Sequence, residues 1–430
     1  MAGLRERALC WIDEDRELLI GFFRDFVRCQ SPNPPGDTRE AIDFVAAYLD
    51  REALPYRRHA AEEHLPNLVG SITFPQPGRH LVLNGHADVF PIGRADLWEH
   101  DPWSGTIADG RLHGRGSADM KAGTTAAIFA YRYLARLHDE LTGKVTLMIV
   151  SDEETGGRWG SQYLLEKLGD EVTGDCLLSG EPGGVGTIRF GEKGILQFSI
   201  DIRTRGAHGP YAHLSPSAIR IAGELMRELD ALKAFKAKLP DAVAERITGE
   251  RASAIINETM GPGTTEVMAA VTVNVGTIRG GSKINMVASD CVMEVDIRVP
   301  IGVDRDAVLA ELDRIVARHP GATVGELRQG SVPNYSDPTH EMAELIAANV
   351  QSLGWPEPIR IPMLAASDCR MWRERAVPAF VYGPSPKNVS APNESVLIEE
   401  FLHAVRVHTL CAIDYLSKDR SWSEVRTREA

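Results

Sequence analysis

Six cysteines, at positions 10, 29, 176, 291, 369 and 411, include no closely spaced pair, which excludes a cysteine zinc knuckle and argues against a disulfide framework. Positive charge is also in short supply. The 47 Lys and Arg residues face 60 Asp and Glu, a formal net charge of -13, so the overall field a nucleic-acid surface needs is missing. No apolar run approaches the length of a membrane span, and Met1 to Asp15 mixes charges of both signs without a sustained apolar stretch. That is neither a signal peptide nor an anchor, and with the unpaired cysteines it leads us to expect a cytoplasmic protein without nucleic-acid or membrane partners. A phosphate cradle is absent too, because Gly180-Glu181-Pro182-Gly183-Gly184 lacks the lysine and the spacing.

What is present suits an ordinary globular protein: 430 residues, 43% hydrophobic and 25% charged, enough to bury a large core in two or more units. The first fifty or so residues have helical periodicity, broken by Ser31-Pro32-Asn33-Pro34-Pro35-Gly36, so two helices are expected to flank a loop. Leu81 to Asn84 and Val145 to Val150 are strand-like, with an alanine-rich helix from Ala122 to Leu137 between them. Strand, helix, strand predicts an α/β unit, a mixed and mostly parallel sheet covered by helices.

From Gly194 the texture changes to alternating strands, Ile195 to Ile202, Val271 to Ile278 and Cys291 to Val299, with helices over Pro216 to Leu232 and Asp304 to Arg318. After Ser331 come a helix over His340 to Leu353, a strand at Ala379 to Tyr382 and a last helix through Leu416. The simplest division is a catalytic domain from residues 1–190 and 331–430, with an α+β unit inserted at 191–330. The polar tail after Lys418 is expected to be loose.

Several acidic residues and one histidine fall at or just after apolar runs, where ligand crevices of such sheets lie. His86-Ala87-Asp88 is an H-x-D pair whose side chains share a face of a strand. His86 suits a metal and Asp88 a carboxylate that orients its ring, although alone the pair reads equally as a buried histidine satisfied by its neighbour. Asp119, in a glycine-rich turn before the alanine-rich helix, could bind or bridge cations, or cap the helix. Adjacent Glu153 and Glu154 after a buried strand repel one another unless a cation or a shared proton intervenes. One could ligate while the other takes a proton from water. Glu181 gains weight only from this company.

At this point the chain resembles the zinc-dependent aminoacylase and carboxypeptidase family that includes acetylornithine deacetylase and succinyl-diaminopimelate desuccinylase. The resemblance rests on Asn84-Gly85-His86-Ala87-Asp88, Gly116-Ser117-Ala118-Asp119-Met120-Lys121, Ser151 to Gly157 and Gly180-Glu181-Pro182. It extends through Arg205-Gly206-Ala207-His208, Thr272 to Gly281, Asn285, Asp296-Ile297-Arg298, Ala366 to Arg370 and Gly383-Pro384. It implies His86, Asp119 and Glu181 around one divalent ion, with Asp119 and Glu154 serving a second and Glu153 as general base. It also implies a homodimer through the inserted domain, which acts as a lid. His208 would reach a partner's site to stabilise an oxyanion, and Asn285, Arg298 and Arg370 would bind a substrate carboxylate; ion pairing within the fold is the other reading of both arginines.

The family's last ligand, a histidine, would stand at Ser390, in Asn388-Val389-Ser390-Ala391-Pro392-Asn393-Glu394. A hydroxyl is a poor substitute for imidazole at a transition metal, so one ion per chain is expected, zinc, manganese or cobalt, with Glu154 joining its shell or free for substrate. The resulting expectation is a metal-dependent hydrolase of a C–N bond in a small carboxylate-bearing substrate, with metal-bound hydroxide as nucleophile. One alternative is an aminohydrolase releasing ammonia from an electron-poor aromatic amine such as 5-nitroanthranilate. Another is an inactive homologue that binds a small carboxylate.

Overall fold

The computed structural model describes residues 2–417, so the tail expected after Lys418 lies outside the described residues. The chain divides into two compact units, one of Met1–Phe190, Ser336–Ile361 and Ser367–Ala430, the other of Gly191–Tyr335 and Pro362–Ala366.

In the first unit, three helices rather than two surround the proline loop: Ala2–Glu14, Arg16–Arg28 and Arg39–Arg51. The extra break falls at Asp15, whose carboxylate is drawn away to Arg132 and to Tyr133 Oη at 3.1 Å. Periodicity does not register this break, because the apolar pattern runs on across it.

The sheet follows the order Arg57–His59, Asn67–Thr73, Thr142–Val150, Gln76–His86, Cys176–Ser179, Ala379–Val381, Thr187–Glu192. Its centre is parallel: Leu83 lies opposite Leu147 on one side and Leu178 on the other, and Phe380 opposite Leu178. Antiparallel pairings flank this centre, as in Val69 with Met148 and Val381 with Arg189. The sheet is therefore mixed. Leu81, Val82 and Leu83 are wholly buried, which explains why these strands read as continuous apolar runs instead of alternating ones.

Helix Ala122–Arg136 packs on Gln76–His86 and against the final helix, Ile398–Leu416. Its small residues permit close approach: a side-chain carbon at Gly123 would collide with the backbone of Gly180, just past strand Cys176–Ser179. The six cysteines are free thiols. Among the described residues no helix is long and apolar enough to cross a membrane.

The second unit is an antiparallel sheet in the order Thr272–Gly280, Asp290–Val299, Gly194–Arg203, Ala322–Gly330. Leu196, Phe198, Ile200 and Ile202 face one side together with Met293, Val295 and Ile297, and onto them pack Ile221, Leu225 and Leu229 of helix Ala218–Leu229 and Leu312 of helix Arg305–Val316. The two-residue alternation in the sequence is this buried face. Three short helices, Asp241–Ile247, Glu250–Met260 and Thr264–Met268, occupy a stretch without clear periodicity.

Candidate metal centre

His86 is the last residue of strand Gln76–His86. The neighbouring parallel strands, Thr142–Val150 and Cys176–Ser179, lead into Glu153 and Glu154, on a single helical turn at Glu153–Thr155, and into Glu181, two residues beyond Ser179. Adjacent strand ends thus place Glu153 and Glu181 on either side of the imidazole, the crevice position of open parallel sheets. Asp119 arrives from the turn Ser117–Lys121 that opens helix Ala122–Arg136. This turn needs Gly116, at φ 79°, because a side-chain carbon there would strike Val89.

His86 Nε2 lies 3.1 Å from Asp119 Oδ1, 3.6 Å from Glu181 Oε1 and 4.0 Å from Glu153 Oε2. One donor atom each from His86, Asp119 and Glu181 falls within 4.8 Å of the other two. His86 Nδ1 donates to the Asp88 carbonyl at 2.8 Å. A carbonyl can only accept, so Nδ1 carries a proton and Nε2 is the nitrogen that faces the carboxylates, donating to Asp119 while the ring is charged and available as a ligand once a cation displaces that proton.

Asp88 therefore orients the ring, but through its main chain, with Oδ1 3.6 Å from Nδ1. Its carboxylate instead accepts from the backbone N–H of Glu153 at 3.3 Å, that of Glu154 at 3.1 Å and Asn33 Nδ2 at 3.0 Å. Asp88 thus secures the turn that carries the two glutamates. The reach of Asn33 was not legible, because it comes from the proline loop 55 positions away.

The electrostatics ask for a cation. Burial pushes Glu153 up to about 8, with Asp368 and Asp119 adding to it and His86 and Arg370 opposing. Glu154 and Glu181 are raised well above the carboxylate range, again chiefly by burial. Burial opposes a charge on His86, yet the carboxylates of Asp119, Glu181, Asp88 and Glu153 outweigh it and hold its pKa well above normal. Glu154 Oε1 is buried with no hydrogen-bond partner. One imidazole nitrogen with hard carboxylate oxygens is a donor set for zinc, manganese or cobalt, and a divalent ion would relieve both the crowding of like charges and the orphaned oxygen.

Arg370 is buried, its two terminal nitrogens donating to the carbonyls of Ser367 and Gly156, each at 2.7 Å. It braces the turn after Glu153 and Glu154. Asp368, to which sequence reasoning gave no role, accepts from Ser161 Oγ at 2.6 Å and has its other oxygen buried without a partner.

Three of the remaining sequence-derived residues, His208, Asn285 and Arg298, belong to the second unit, and Ser390 belongs to the first. His208 is exposed on the short strand Ala207–His208, opposite Met286. Asn285 is exposed and accepts from Gly209 N at 2.7 Å through its carbonyl. Arg298 holds Asp296 with two bonds of 2.7 and 2.9 Å, the ion pairing that was the other reading of this residue. Ser390, the position of the absent histidine, is exposed in a turn at φ 60°. Among the described residues, His86, Asp119 and Glu181 form the one group of three with metal-ligand spacing.

A model of peptidase family M20/M25/M40 matches residues 82–414. The succinyl-diaminopimelate desuccinylase of Parvibaculum lavamentivorans is 35% identical over 217 residues, 48% of this chain and 53% of that one, so the match spans about half of that relative. The N-formyl-4-amino-5-aminomethyl-2-methylpyrimidine deformylase of Bacillus subtilis is 25% identical over 437 residues, 95% of this chain and 97% of the relative. The M20 family metallo-carboxypeptidase Sso-CP2 of Sulfolobus solfataricus superposes with a TM-score of 0.78 at 17% identity, over 92% of this chain and 99% of the other.

Proposed function

Because the chain belongs to peptidase family M20/M25/M40, a family of metal-dependent hydrolases of amide and peptide bonds, we propose that it is a deacylase that cleaves the C–N bond of a small carboxylate-bearing amide. The observation that carries this is the convergence of His86, Asp119 and Glu181, with Glu153 Oε2 at 4.0 Å from the imidazole. The full-length match to a deformylase supports a small acyl group over a long peptide.

One divalent ion held by His86, Asp119 and Glu181 would supply a Lewis acid and acidify a water at neutral pH. Glu153 takes the proton from the attacking water and returns it to the departing nitrogen. Its backbone is fixed by Asp88, so the carboxylate is presented without a search for geometry. Glu154, its Oε1 without a hydrogen-bond partner, would join the ion's shell or receive a polar group of the substrate. His208, exposed on the second unit, serves as donor to the developing oxyanion from a partner copy in a homodimer. Arg370, Asn285 and Arg298 would then contribute to the substrate carboxylate only as far as their present partners release them.

The exposed serine at position 390 favours one further reading, release of ammonia from an electron-poor aromatic amine, which needs less polarisation of the substrate. A screen of chain reconstituted with Zn²⁺, Mn²⁺ or Co²⁺, with metal content measured on the same sample, separates the two. N-formyl and other N-acyl amino acids and dipeptides are set beside aminobenzoates, scoring free amine and ammonia. Amine release from the acyl compounds is expected. Ammonia from an aminobenzoate would replace the deacylase reading, and metal-loaded chain silent on the whole panel would favour a binding protein.

A further inference from the structure

Four residues beyond Ser390, Glu394 is 1% exposed and its carboxylate is fully used. One oxygen accepts from Arg115 Nη1 at 2.6 Å, and the other accepts from the backbone N–H groups of Ala118 at 2.8 Å and Asp119 at 3.1 Å. Arg115 is equally buried and its guanidinium lies over the Trp98 ring, 5.1 Å from the centroid. Taking two charges out of water costs several kcal/mol per ion unless the geometry returns it, and here the anion's second oxygen goes entirely to the turn that delivers Asp119.

We infer that Glu394 and Arg115 are a positioning pair that holds the Asp119 turn in the geometry the divalent ion requires. The segment that resembles a ligand-bearing one thus acts on the metal through a carboxylate-to-backbone brace, while its residue 390 stays exposed. The inference rests on the proposed metal reading. Anchoring the peptide N–H of Asp119 restricts the residue whose Oδ1 sits 3.1 Å from His86 Nε2, and partners of this kind set ligand direction as much as the ligands themselves do. Glu394 would act through the backbone of Ala118 and Asp119, and Arg115 through Glu394.

The test measures dissociation constants for Zn²⁺ and for Mn²⁺, each alone, on wild type, Glu394→Gln and Arg115→Lys, together with the metal-free melting temperature of each. Glu394→Gln keeps the shape but removes the charge and replaces one acceptor with a donor. Affinity is expected to fall about 10- to 100-fold, with a smaller fall for Arg115→Lys, which keeps a cation beside the glutamate. A merely structural role would lower the melting temperature and leave the affinity of the folded chain unchanged. Unchanged affinity in folded Glu394→Gln overturns the inference; should that variant not fold, unchanged affinity in folded Arg115→Lys does so. A wild type that binds neither ion is a separate result, read before any variant, and overturns the metal reading itself and the pair's purpose with it.

Discussion

Gly123 and Gly180 meet through bare backbone, so the helix that follows the Asp119 turn and the loop that leads to Glu181 touch without a side chain between them. Two of the three proposed metal ligands owe their proximity to this contact. Glu181 follows Gly180 directly, and Asp119 lies four residues before Gly123.

Gly123→Ala therefore is expected to do two things at once. The added methyl would overlap the Gly180 carbonyl, and overpacking of this kind costs about 1–3 kcal/mol. Because the two elements must separate to relieve it, metal affinity should fall as well. Urea unfolding together with a metal titration checks both. A variant with native affinity and native stability would mean the contact is incidental.

Glu153→Ala separates the proposed base from the proposed ligands. Among the described residues only His86, Asp119 and Glu181 share metal-ligand spacing, so the variant should load metal as wild type does while turnover falls about 10²- to 10⁴-fold, the usual worth of a positioned proton acceptor. Metal content and kcat measured on one preparation decide it. Turnover that survives would remove Glu153 from the mechanism.

The parts of this site legible in the sequence are those written into short, local patterns. His86, Glu153, Glu154 and Glu181 each follow an apolar run that the parallel centre of the sheet buries on both faces, so the runs and their polar ends stand out. Asp119 sits in a glycine-rich turn whose backbone geometry demands glycine. Glu394 and Arg115 were not legible, since each is an isolated charge and they are 279 positions apart. Asp88 was half legible: its place beside His86 is plain, but which of its oxygens meets the ring depends on the turn it also holds. The break at Asp15 escaped for a similar reason, because the partner that draws its carboxylate away is Arg132, on a distant helix.

Loaded metal should raise thermal stability, and a chelator should remove the gain. Buried carboxylates held at raised pKa are a strained arrangement that the ion relieves, and an ion that binds only the folded chain stabilises it by about 2.7 kcal/mol at a hundred times its Kd. Scanning calorimetry with and without chelator at fixed protein concentration tests this. A melting temperature indifferent to both ion and chelator would contradict the metal reading.

Acid sensitivity should come in part from two histidines remote from the metal ligands in sequence. His403 Nε2 donates to Tyr382 Oη at 2.8 Å, whose own proton goes to the Val185 carbonyl at 2.9 Å, and the His403 ring stacks on Trp355 at 4.3 Å, while His408 Nε2 donates to the Tyr382 carbonyl at 2.7 Å with Nδ1 buried and without a hydrogen-bond partner. Burial lowers both to about 4 from an ordinary value of 6.5. Both are therefore neutral in the folded chain at a pH where the unfolded chain takes up protons. Their contribution is fully present above pH 6.5 and is lost as pH falls from there toward 4, on the order of 3 kcal/mol per histidine at the acid end. His408→Gln retains a donor for the Tyr382 carbonyl but cannot titrate. In metal-free chain its stability should decline less steeply than wild type between pH 6.5 and 4.5, as read by urea unfolding at a series of pH values. Parallel curves for the two chains would show that His408 is protonated without cost, and would move the acid sensitivity to the carboxylates.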